Sequence, residues 1–271
     1  MARPFSSALS VAEAFVVREA GFAPIAQVMG SCFYQVGWQS MPWGQLGWTG
    51  SLRQGDTFEL ETQTAAWNDA RSLALGRLRD EAVTAGADAV VGLRLKRGGY
   101  DWAAGLVEFV AIGTAVRSAR YEIEDAPVLS HLSGQDFAKL VRHGVWPVGL
   151  VAGSTVAYVV SGYGQQARSS GLFSGRQNQE LPDYTRGVYD ARALAMERVT
   201  RAAHRLHAHG VVGVTIERSE QTRDRDAGGM TYRDLIIELH VLGTAIVEVR
   251  HDAPEPAPAK YIALPLDRET P

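Results

Sequence analysis

The sequence predicts an α+β protein made of two tandem copies of one unit, and three observations carry that expectation. Residues 4–117 recur, with substitutions, as residues 127–250. Each copy holds one long segment whose apolar residues fall three and four apart, the period of a helix lying on a sheet. Each copy then ends in two apolar segments set off by glycines and reading as strands.

The repeat can be checked by position. Gly30-Ser31 matches Gly153-Ser154 at an offset of 123, Asp69-Ala-Arg71 matches Asp190-Ala-Arg192 at 121, and Gly113-Thr-Ala115 matches Gly243-Thr-Ala245 at 130. The offset changes in two places, so length differences are expected in two loops. One is Trp38 to Thr62, matched by Ser161 to Asp183. The other is the connection at Lys96–Tyr100, which swells to Ser219–Gly229 in the second copy. Loops absorb insertions, whereas an odd shift within a strand turns its buried face outward. The expected organisation is a first unit over 1–125, a second over 126–251, and a separate tail over 252–271.

The elements follow in order. Ser10-Val-Ala-Glu13 has capping-box spacing and opens a short helix that Gly21 stops; Ser133-Gly-Gln-Asp136 and Gly144 repeat the arrangement with Asp for Glu. A strand is expected from about Ala23 to Val36, and again from Pro147 to Val160. A helix of about five turns is expected over Thr64–Ala85 and Thr185–Ala208, the second with Val188, Ala191, Ala195, Val199, Ala202 and Leu206 as its inward stripe. In Val91–Lys96 apolar residues alternate with Gly92, Arg94 and Lys96, the pattern of a strand covered on one face. The final strands, Leu106–Val116 and Leu235–Val249, are apolar on both faces except at Glu108, Thr114, Glu238, His240 and Thr244. Such a strand needs a second covering surface, supplied by the sister copy or by another subunit.

Composition bounds the function. The chain has 271 residues, 46% hydrophobic and 21% charged, enough for two units of this size. A net charge of −3 argues against a nucleic-acid partner. The single cysteine, Cys32, excludes an internal disulfide and a thiolate-rich metal site within one chain. No run reaches the roughly 18 apolar residues of a transmembrane helix, so the cytoplasm is the expected location.

Several phrases resemble a known family. A strand ending in Gly-Ser, Asp-Ala-Arg near the start of a long helix, Gly86-Ala-Asp-Ala-Val-Val-Gly92 and Glu108-Phe-Val-Ala-Ile-Gly-Thr-Ala-Val116 are similar to the YbjQ family, which carries a heavy-metal-binding label. The likeness covers both copies; the second departs where His207 stands for Gly86 and His209 for Asp88. The resemblance implies β-α-β-β units, each an antiparallel sheet backed by a helix, assembled into rings that are pentameric in single-unit relatives. A tandem chain would then place ten units in a ring of five chains, or stack two five-unit rings.

Candidate residues fall into four groups. His204, His207 and His209 close the second long helix, and His204 with His207, three apart, would share a helical face able to chelate a divalent transition metal such as zinc, nickel or copper. Solvated histidines at the negative end of a helix dipole are the plainer reading. Glu108 and Glu238 occupy the same place in each copy; a carboxylate in an apolar strand is either a ligand or base, or half of an intersubunit ion pair with Arg71, Arg94, Arg192 or Arg198. Asp69 and Asp190 suit the helix dipole, and Arg71 and Arg192 are expected to pair with neighbouring elements or to contact a ligand. Trp38, Trp43 and Trp48 recur at five-residue intervals among Gly, Gln and Ser, as an oligomer interface or a ligand contact.

The repeated glycines do not open helices at phosphate-loop spacing and read as points of close backbone approach. The Pro-rich stretch His251–Lys260 and the apolar Tyr261–Leu266 after it would add to a sheet edge or fill a groove on a neighbouring subunit, with simple disorder as the alternative. With no nucleophile–base pair or cofactor fingerprint in sequence, the expected function is a non-enzymatic, self-associating binding or scaffold protein. Metal binding is the alternative, and an enzyme with an interface active site comes last.

Overall fold

A computed structural model describes residues 5–37, 55–99, 105–120, 126–162, 180–227 and 229–248. The tryptophans at 38, 43 and 48 and the tail from 249 onward lie outside the described residues. The elements run α1 (Val11–Glu19), β1 (Phe22–Gln35), β2 (Thr57–Glu59), α2 (Glu61–Thr84), β3 (Ala89–Gly99), β4 (Leu106–Ser118), β5 (Val128–Leu129), α3 (Gly134–Arg142), β6 (Val145–Val159), α4 (Pro182–Arg205), β7 (Gly210–Ala227) and β8 (Met230–Glu248). Apart from one very short strand in each, β2 and β5, each half is a short helix, a strand, a long helix and two strands, the α+β order expected from sequence.

Two four-stranded sheets form, ordered β1-β4-β3-β5 and β2-β6-β8-β7. The edges are exchanged. β2 belongs to the first half but pairs antiparallel with β6 of the second, and β5 begins the second half but pairs parallel with β3 of the first. The other pairings are antiparallel and stay within one half.

Local chemistry accounts for the elements. Ser10 Oγ accepts the Glu13 N–H at 3.3 Å while Glu13 returns a carboxylate oxygen to the Ser10 N–H at 2.8 Å, a complete capping box. In α3 the Ser133 hydroxyl accepts the Asp136 N–H at 3.1 Å, and the shorter Asp136 carboxylate takes the hydroxyl proton at 2.8 Å. Gly30 and Gly153 let a helix lie directly on a strand, since a Cβ at either would collide with the Ala74 or the Ala195 carbonyl. Gly92 and Gly213 both sit at φ 65°, at the β-bulges of β3 and β7.

Two expectations are corrected. The fully buried stripe of α4 is Gly187, Ala191, Ala195, Val199 and Ala203, with strict four-residue spacing; Val188 and Ala202 flank it half-buried against the core, and Leu206, just past the helix end, lies over Gly149 of β6. The extra residues of Ser219–Gly229 do not form a swollen loop: β7 pairs with β8 as far as Ala227 and Met230. The insertion adds whole cross-strand pairs, tied by Arg225 to Asp234 at 2.6 Å and Thr231 to Asp226 at 2.6 Å.

α2 buries more than its own sheet requires. Ala70, Ala74, Leu78 and Ala82 face inward, and Thr64, Trp67 and Arg71 are buried as well. This second set faces the other half: Thr64 Oγ1 accepts the Val156 N–H at 2.9 Å, and Arg71 reaches Ser154. The counterparts on α4, Thr185, Val188 and Arg192, are not buried.

Candidate functional site at the junction of the two halves

A cluster of polar contacts crosses between the halves where α2 lies against β6 and β8. Ser154 on β6 stands directly opposite His240 on β8, and their Oγ and Nδ1 are 2.8 Å apart. Arg71 donates to Ser154 Oγ, and the same hydroxyl is hydrogen-bonded to His240 Nδ1, while among the described residues His240 Nε2 is buried with no hydrogen-bond partner. Asn68 brackets the Ser154 backbone, accepting its N–H at 3.2 Å and donating to its carbonyl at 3.2 Å. The same Asn68 accepts from Arg71 at 2.7 Å, so one helical turn of α2 holds both the strand and the guanidinium.

Aromatic rings of the first half enclose the imidazole. Trp67 stacks on it at 4.6 Å with 7° between planes, and Phe109 meets it edge-on at 5.9 Å. Arg97 lies over the Trp67 ring at 4.6 Å and donates to Glu238 at 2.6 Å, while Ser219 shares that carboxylate. Burial pulls the His240 imidazolium down to about 3, with Arg97 and Arg71 adding repulsion. Burial, and after it the nearby Arg198, lowers the Arg71 guanidinium to about 10. Arg198 itself ties α4 to the exchanged β2, donating to Glu59 at 2.9 Å and to Thr155 at 2.8 Å.

These groups do not make an active centre. Ser154 is fully buried, its oxygen already accepts from a cation, and an imidazole held near 3 is a weak base. The adjoining cavity, lined by Arg71, Leu95, Thr215, Glu217, His240, Val241 and Leu242, holds about 30 Å³, room for one water. The arrangement cements the junction.

A family model matches residues 49–119 and 143–249, one stretch in each half, which together exceed half the chain. The chain belongs to the YbjQ family. The family is described as "Putative heavy-metal-binding". The encapsulin nanocompartment protein Rv1762c of Mycobacterium tuberculosis is 38% identical over 218 residues, 78% of this chain and 77% of that protein. A UPF0145 protein of Clostridium perfringens is 45% identical over 58 residues, 21% of this chain and 53% of that protein. A second UPF0145 protein of that species is 43% identical over the same length.

The family label directs attention to the histidines and acids. α4 ends at Arg205, and His207 lies beyond it at φ 51°, so His204 and His207 do not share a helical face. His207 takes the left-handed position that Gly86 holds at φ 70° in the first half. His209 Nδ1 accepts the Glu248 N–H at 3.1 Å, just as Asp88 accepts the Ser118 N–H at 2.7 Å, so the two occupy one structural role. Among the described residues no group of three or more His, Cys, Asp or Glu is gathered as a metal site needs.

The duplicated acids lie on separate sheets, and the partner of Glu238 is Arg97, not Arg71, Arg94, Arg192 or Arg198. The ion pair crosses between the repeats of one chain, whereas the expected pair was between subunits. Arg71 makes hydrogen bonds to hydroxyl and amide oxygens instead of an ion pair, and Arg192 is exposed. Sequence reading passed over Trp67, Asn68, Ser154 and Arg97. The available signal was His240, which stands where the first half has Val110.

Proposed function

We propose that this YbjQ-family chain is a non-enzymatic binding or scaffold subunit that assembles with copies of itself. It comprises two YbjQ-like units, residues 1–125 and 126–251, and a tail, 252–271. One observation carries the reading: the halves interlock by exchanging edge strands, and the exchange is incomplete at both ends. β6 receives β2, but its counterpart β1 is the last strand of its sheet among the described residues; β3 receives β5, but its counterpart β7 is likewise last among them. Surfaces that mate inside a chain and recur unmated at its ends favour head-to-tail assembly, which closes into a ring or runs on as a filament. The family resemblance points to a closed ring of five chains and ten units.

A protein partner would be engaged by the loops or by the Pro-rich tail, a reading supported by the encapsulin nanocompartment name of the mycobacterial relative. The lone thiol, Cys32, suits a reducing cytoplasm. The test is native mass spectrometry of the full chain purified without a tag, together with its metal content. Assemblies of several chains without stoichiometric metal are expected. A single chain at tens of micromolar would overturn the scaffold reading, and one metal per chain would move the function to the divalent transition-metal alternative. The donors in that case would be His204, His207 and His209 or the duplicated Glu108 and Glu238.

A further inference from the structure

Resting on that self-assembly reading, we infer that a second copy docks its N-terminal segment and α1 onto the exposed β7 edge and the flank of α3, rebuilding between chains the interface that joins the halves within one chain. The internal interface is the template. Val128 donates to the Asp88 carbonyl at 3.1 Å, Ser130 to Val90 at 2.9 Å, Gly92 to Leu132 at 3.0 Å and Leu93 to Ser130 at 3.1 Å, so residues 128–132 run along β3. Phe137 and Val141 of α3 then pack on Val17, Ala89, Val91 and Val116 of the first half.

The counterparts exist at the two ends of the chain. Residues 5–9 correspond to 128–132 at the offset of 123, and they are anchored alike: Ser7 Oγ lies 3.2 Å from Thr114 Oγ1, as Ser130 Oγ lies 3.3 Å from Thr244 Oγ1. Beside them Phe5, Leu9, Val11, Ala14 and Phe15 line an open apolar groove of about 240 Å³. In the second half the matching residues are filled by the first half; here Val11 and Phe15 are 75% and 62% exposed.

The complementary face lies at the other end. Leu140, Gly210, Val212 and Ile246 stand for Val17, Ala89, Val91 and Val116, and none of the four is buried, whereas all of their counterparts are. Val214 is 41% exposed where its counterpart Leu93 is 2%. Charge agrees with shape. The pairs Arg97–Glu238 and Arg198–Glu59 cross the internal interface, and their images across the outer one, Arg218 with Glu108 and Arg77 with Glu180, keep the same residue types. An extended segment added to a sheet edge, with a helix seated beside it, is a recognised mode of docking.

The test uses two full-length variants, each spoiling one face at a residue exposed in the single chain: Val214→Asp on the β7 edge and Phe15→Asp on α1. Each alone is expected to run as a single chain with the thermal transition of an unassembled but folded protein. Mixed, they should form a one-to-one dimer and nothing larger, since each retains the face that the other has lost. Val11→Asp replaces Phe15→Asp if the latter fails to fold. Wild-type assemblies that survive both substitutions would overturn this interface while leaving self-assembly intact. Dissociated variants that do not pair would overturn its head-to-tail sense, and a monomeric wild type would overturn both readings.

Discussion

Acidification should weaken the junction through His240, and the size of the effect follows from its surroundings. The imidazole stacks on Trp67, is hydrogen-bonded to the Ser154 hydroxyl and is held at about 3 by burial, with Arg97 and Arg71 behind it. In the unfolded chain it titrates at its ordinary value of 6.5. Between these values the unfolded state binds a proton that the folded state does not, so stability is full above about 6.5 and falls as pH drops toward 3. At pH 5 the unfolded histidine lies 1.5 units above the solution pH, which at roughly 1.4 kcal/mol per unit gives a loss of about 2 kcal/mol. Any folded value well under 5 gives nearly the same loss.

The assay is urea unfolding at pH 7 and pH 5, at one protein concentration, for the wild type and for His240→Asn. The Asn side-chain amide can keep a hydrogen bond to Ser154, and the other histidines are common to both proteins. The wild type should lose about 2 kcal/mol more than the variant between the two pH values. Equal losses would refute the buried, neutral assignment of His240.

Other perturbations probe the fold. Gly153→Ala drives a Cβ into the Ala195 carbonyl and should cost about 1–3 kcal/mol in chemical denaturation, whereas Gly76→Ala, in the interior of α2 with open space around it, should gain about 1 kcal/mol. Asp234 is fully buried and accepts from Tyr158, Ser161 and Arg225, so Asp234→Asn leaves a cation unmatched and should cost about 3–5 kcal/mol in the same assay. Arg97→Met strips Glu238 of its ion pair; the arginine side chain is 28% exposed, which places the expected cost nearer 1 than 3 kcal/mol, read as a lowered Tm.

The order of elements was legible because local signals and the repeat agree. The serine N-caps at Ser10 and Ser133, the i,i+4 alanines of the long helices and the glycines at 30 and 153 act within a half, and each appears twice. The exchange of β2 and β5 was not legible: Thr57–Glu59 is three residues long, and whether so short a strand joins its own sheet or the next is decided by packing across the junction. The same reason hid the site. Trp67, Asn68 and Arg71 fall three or four apart on α2 and resemble any half-polar helical face until β6 and β8 are set against them. The histidine-rich helix end misled because His207 is a backbone residue in function, filling a left-handed turn where glycine is usual.

The halves therefore differ most where they meet. Within the chain the junction is built from Trp67, Asn68, Ser154 and His240. At the matched positions of the proposed outer junction stand Val188, Tyr189, Ser31 and Val110. The exchange of ion pairs and edge strands would be common to both junctions, whereas the stacked, pH-sensitive imidazole belongs to the inner one alone. A chain with identical halves would present the same junction inside and out, and nothing would favour the cis partner except its tether. Here a polar cluster that is costly to bury unpaired sits only where the partner is always present, and the outer junction relies on ion pairs and apolar contacts whose groups can wait exposed to water. Acid should accordingly loosen the inner junction first, so in the mixed Val214→Asp and Phe15→Asp dimer a fall from pH 7 to pH 5 should lower the unfolding midpoint before it separates the two chains.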